Sequence, residues 1–100
     1  MTNNTVFNET ATRLFPQLKQ FVPVVDKVHG PHHPEFHEVR ALFGTVVDKT
    51  EAASPGKPDL TEEFTKLEEI TDNYTVPGDV CESYEAVFNW LAELDHAYQA

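Results

Sequence analysis

Apolar side chains stand at Phe7, Ala11, Leu14, Leu18, Phe21, Val25 and Val28, in steps that alternate four and three. That spacing draws one stripe along an α-helix. Pro16 and Pro23 fall inside the stretch. Each removes a backbone donor and crowds the turn before it. The stripe keeps its phase through both prolines, so the pattern predicts one helix with a kink rather than two unrelated helices. Gly30 and Pro31 end it, the glycine as a C-terminal cap and the proline as a residue that cannot extend the helix.

A second helix is predicted from His33-Pro34-Glu35. Proline suits a first turn, and Glu35 and Glu38 complement the positive helix end. Its apolar face is Phe36, Val39, Phe43, Val46 and Val47, and "AASPGKP" reads as a linker. In the third helix Asp59 is placed to cap, with Glu62 reaching back as in a capping box. Its stripe runs through Leu60, Phe64, Leu67, Ile70 or Thr71, then Tyr74, and "YTVPGD" closes it. The fourth opens at Asp79 with Glu82 at the same capping spacing. Val80, Tyr84, Val87, Leu91, Leu94 and Tyr98 follow. No stretch reads as a strand, and no internal repeat is present. The expectation is an all-α, antiparallel four-helix bundle over residues 1–100, a single domain. Phe88 and Trp90 widen the apolar face of the last helix. They fit either a broad buried arc or a homodimer seam centred on Trp90.

Charge changes the picture of partners. The net charge is −10, and the excess lies in the second half, where Lys57 and Lys66 face twelve carboxylates. Such a surface repels phosphate backbones and anionic membranes. It keeps a small protein in solution and would attract a cation or a basic partner. No apolar run is long enough to span a bilayer, and "MTNNTVFNET" lacks the basic-then-apolar order of a signal peptide. The single cysteine, Cys81, forbids an internal disulfide and fits a reducing, cytoplasmic setting.

The candidate chemistry gathers in "HGPHHPEFH", which holds four of the five histidines. Imidazole binds divalent zinc, iron or nickel, and carboxylates can join it. His33 and His37 lie four apart and would share a face if both were helical. His29 precedes His33 by four, but Gly30 and Pro31 are expected to break a common helix. Asp26 is three before His29 and could orient it or add a ligand. The plainer alternative is a proline-rich corner, with His32 in a loop and His37 on a solvated face. The segment has neither CxxC nor HExxH spacing. Cys81 follows a helix cap, where a thiol can be activated, yet a buried packing role is the simpler expectation. No Ser-His-Asp set or phosphate loop occurs. Glu62-Glu63 and Glu68-Glu69 are adjacent, so each pair points to different faces.

Two stretches, "FPQLKQFVPVVDKVHGPHHPEFHEVRALF" (15–43) and "LEEITDNYTVPGDVCESYEAVFNWLAEL" (67–94), resemble the hemerythrin-like di-iron proteins that repair iron–sulfur centres, the RIC type. The resemblance implies a four-helix bundle that holds two irons through histidines and carboxylates and serves under oxidative or nitrosative stress. Carried over position by position, His29 matches a family ligand. The first-helix ligand falls on Asn8, and a later His-Glu pair falls on Ala53 and Lys57. The helix bearing the next Glu-His motif is shortened into "ASPGKPDL". The last ligands would begin beyond Ala100, with His96 out of phase.

The expectation is therefore a shortened relative that keeps the bundle without a di-iron centre. It would act as a non-enzymatic accessory or interaction module linked to iron–sulfur repair or stress. One alternative is a metal-binding or metal-delivery protein using His29, His33 and His37 for a single iron, zinc or nickel ion. Another is a homodimer that completes a di-iron site.

Overall fold

A computed structural model describes residues 2–100, with side chains from residue 6 onward. Four helices follow in order: α1 (Thr2–His29), α2 (Glu35–Ala53), α3 (Thr61–Thr71) and α4 (Glu82–Gln99), with no strand among the described residues. The molecule measures 41 × 22 × 19 Å. At 1.5 Å per residue the 28 residues of α1 span about 42 Å, so this one helix runs the full length of the fold. It stays continuous through Pro16 and Pro23. It packs along α4, and α2 lies against both α1 and α3. No helix among the described residues is long and apolar enough to cross a membrane.

The core joins Phe7, Ala11, Leu14, Leu18, Val22 and Val25 of α1 to the apolar faces of the other three helices. The α1 stripe differs from the expected one at its end. After Leu18 it takes a four-residue step to Val22, which leaves Phe21 half-buried and Val28 59% exposed. The displaced Phe21 ring meets Trp90 edge-on at 5.2 Å between centroids. All five expected residues of the α2 face are buried. Phe88 is only 2% exposed, enclosed between Tyr84 and Phe36. It belongs to the core, so of the two residues assigned to a homodimer seam only Trp90 reaches the surface.

Neither expected capping box forms. α3 starts after Leu60 and α4 after Cys81, without a side-chain cap at either. Asp59 instead accepts a 3.3 Å bond from the Thr61 amide, and Asp79 turns toward His33. The third helix also stops at Thr71, short of the expected Tyr74. Asp72, Asn73 and Tyr74 all take left-handed backbone angles, with φ of 53°, 55° and 62°. Such angles cost about 1–3 kcal/mol each for side-chain-bearing residues. Three contacts hold the turn. The Asn73 amide donates to the Glu68 carbonyl at 2.8 Å, the Tyr74 amide to the Thr71 hydroxyl at 2.8 Å, and the Tyr74 hydroxyl to Asp95 at 2.7 Å.

Candidate functional site: a thiol–imidazole corner

Two loops meet at one end of the bundle. The first, residues 30–34, joins α1 to α2. Gly30 closes it through close approach rather than a left-handed cap, since no glycine has a positive φ. A Cβ at Gly30 would strike the Asp26 carbonyl and stand 2.7 Å from the ring of His37. The break at Gly30-Pro31 does not separate His29 from His33. The amide of His33 donates to the His29 carbonyl at 2.7 Å, so one helical turn persists and the rings lie 6.4 Å apart. The second loop, before α4, carries Asp79 and Cys81. Cys81 is extended (φ −88°, ψ 174°).

Each histidine finds a different partner. His29 Nε2 lies 3.1 Å from the Cys81 sulfur, with thiol or ring N–H as donor according to tautomer. His33 Nε2 lies 3.2 Å from both carboxylate oxygens of Asp79, and its Nδ1 lies 3.2 Å from Glu35. Burial opposes the charge on His33, but the bonds and charges of Glu35 and Asp79 outweigh it and raise its pKa above the usual value. His37 turns to α1, where Nδ1 lies 2.5 Å from Asp26 Oδ1. The contact lacks hydrogen-bond alignment and leaves that buried oxygen without a donor. Arg40 holds the other Asp26 oxygen at 3.2 Å. Asp26 therefore engages α2 and does not orient His29. His32 is exposed in the loop.

Tyr84 forms the floor. Its ring centroid lies 5.4 Å from that of His29 and 5.5 Å from that of His33. The side chain is 1% exposed, and burial with the nearby Glu35 and Asp79 charges pushes its phenol up to about 12. Cys81 is exposed, contrary to the buried packing role expected for it. Sequence reasoning missed its pairing with His29 and that of Asp79 with His33. The partners are 52 and 46 residues apart, beyond the reach of local spacing.

A second polar cluster lies between α3 and α4. Asp95 is 4% exposed and takes bonds from Tyr74 Oη and from Gln99 at 3.1 Å. Glu68 shares a hydrogen bond with Asp95, which with burial holds its carboxyl above the usual range. Burial and Asp95 push the Tyr74 phenol far up. An open cavity of about 410 Å³ adjoins these groups. The pairing crosses helices, so the adjacent Glu68-Glu69 gave no sign of it.

No protein-family model, curated protein or solved structure matches the chain. The residues at the positions implied by the di-iron resemblance do not fit two irons. Asn8 donates to the Pro55 carbonyl at 2.8 Å, Ala53 has no donor atom, and Lys57 binds the Tyr98 carbonyl and covers its ring at 4.5 Å. The Asn8 and Lys57 side chains instead fasten the far end of the bundle. Among the described residues, no three His, Cys, Asp or Glu side chains are gathered in metal-holding geometry.

Proposed function

We propose that this chain is a non-catalytic, thiol-bearing accessory module. An antiparallel hemerythrin-like bundle, bent at Pro16 and Pro23, would have given up di-iron chemistry while keeping a reactive corner. The observation that carries this reading is the exposed Cys81 sulfur, 3.1 Å from His29 Nε2 at the start of α4. A sulfur so placed can attack an electrophile while the imidazole takes its proton. Neither a protein partner nor a small thiol-modifying molecule would have to enter a pocket to meet it. The role of Asn8 and Lys57 in fastening the bundle supports the loss of iron.

Alkylation with iodoacetamide tests the reading. The sulfur–carbon bond forms, iodide leaves, and the thiol proton passes to His29. His29→Ala should slow modification of Cys81 at neutral pH by about tenfold or more, within the range of general-base assistance. Equal rates in the parent and the variant, both folded by circular dichroism, would overturn the proposal. Elemental analysis of protein purified without a histidine tag should find no pair of irons. Two irons per chain with an oxo-bridge absorption band would do the same.

A further inference from the structure

The large apolar side chains that stand exposed among the described residues all lie on α1: Val6, Val24 and Val28, at 40%, 56% and 59%. They are not scattered. At 3.6 residues per turn, Val24 stands about five full turns beyond Val6, and Val28 follows one turn later. Thr10, Arg13, Gln17 and the half-buried Phe21 fill the interval in steps of three and four. The helix therefore carries a second stripe beside the one it gives to the core. Across the groove, α4 continues this surface through Trp90, edge-on to Phe21. Ser83 of α4 lines a notch of about 180 Å³ with Gln20, Phe21 and Val24.

We infer that this face is the seam of a homodimer, in which α1 packs on α1 of a second copy. Charge argues for that occupant. The chain carries −10, so two copies repel each other over most of their surfaces. No carboxylate stands on the stripe, and Arg13, its one charged residue, is already paired with Glu93. A basic partner would find nothing to bind there, whereas two copies can meet along it with no like charges opposed.

The order of residues along the stripe suits self-pairing. With the two α1 helices antiparallel and crossing at Gln17, Val6 faces Val28 of the partner subunit. Thr10 then faces the partner's Val24, and Arg13 faces the partner's Phe21. Each contact is made twice, as a twofold seam requires, and a guanidinium comes to lie against an aromatic ring. The seam expected around Trp90 is thereby centred on α1, with Trp90 at its edge. From Val6 to Val28 the stripe is about 33 Å long, and with the adjoining side of α4 it is about 20 Å wide. That gives roughly 650 Å² per partner, short of the roughly 800 Å² of a standard interface. The expected dimer is therefore a weak, reversible one, dissociating at roughly 10–100 μM.

Sedimentation equilibrium of the full chain tests the inference, with the protein kept reduced so that Cys81 forms no disulfide between copies. Monomer and dimer should exchange between about 10 μM and about 1 mM. Emission from the single tryptophan, Trp90, should move to shorter wavelength over the same range. Raising salt from about 0.05 M to about 0.5 M should tighten the pair, because it screens the repulsion of two acidic chains. Val24→Asp should weaken association at least tenfold and leave the thermal melt of dilute protein unchanged. Ala41→Asp places the same charge on the exposed side of α2 and should leave association within about twofold of the parent. A strict monomer at about 1 mM would overturn the seam and leave the face to an unlike chain. Equal losses in the two variants, or growth beyond a dimer, would overturn it as well.

Discussion

The ring of His33 lies between two carboxylates, Glu35 on one nitrogen and Asp79 on the other. Burial works against its charge, but the carboxylates prevail and the folded chain holds its proton beyond the ordinary value of 6.5. The resulting stabilisation is fully present below that value. It fades as pH rises through the higher folded pKa, because only the folded form then retains a proton that it must give up. Asp79→Asn should therefore cost more stability at about pH 5 than at about pH 9. Urea unfolding of the parent and variant at both values checks the sign. In the folded variant the His33 titration should also move to lower pH, which nuclear magnetic resonance reads directly. Asp79 was legible as a helix cap because an aspartate three residues before a glutamate is the local signature of one. A partner 46 residues away leaves no such mark, so the same side chain supports a different structure once α2 and α4 meet.

At the scale of the helices, two glycines give opposite expectations. Gly44 lies within α2, and a Cβ there meets nothing within 4 Å. Gly44→Ala should raise stability by about 1 kcal/mol through the lower entropy of the unfolded chain. Gly30→Ala would drive a methyl into backbone and into the His37 ring, and should lower stability by about 1–3 kcal/mol. Thermal melts of the two variants, shifting in opposite directions, are the check. The helices themselves were largely legible. Periodicity of 3.6 identifies a buried face wherever one helix lies on a continuous core, and α2 matches it residue for residue. It fails at the ends, where contacts across the fold decide. Val22 replaces Phe21 in the α1 stripe, and α3 stops at a left-handed turn that Asp95 secures from α4.

Across the whole molecule, the balanced first half faces the acidic second half. Arg13 pairs with Glu93, and Lys49 reaches the buried Glu63 at 2.7 Å. Lys19 pairs with Glu51 at 3.3 Å; of the remaining carboxylates of the second half, Asp95 is buried and Glu68 half-buried, and the others are exposed. The exposed pairs Arg13–Glu93 and Lys19–Glu51 contribute little and are screened by salt, so the core carries the stability. Leu14 and Leu91, each 1% exposed, sit in that core. Leu14→Ala or Leu91→Ala should cost about 2–5 kcal/mol in denaturant unfolding, far more than Arg13→Ala.

The corner at His29 and Cys81 has one more consequence. All of α2 and α3 lie between the two loops that form it, so no unfolded chain keeps its groups together. Whatever occupies the corner acts as a clasp on a long loop, and its binding energy is counted in the folding equilibrium. A ligand held there at one hundred times its dissociation constant would add about 2.7 kcal/mol to stability. A reagent that caps the sulfur would open the clasp and take that increment away. Chemical state at one exposed cysteine thus becomes readable as the melting temperature of the entire bundle.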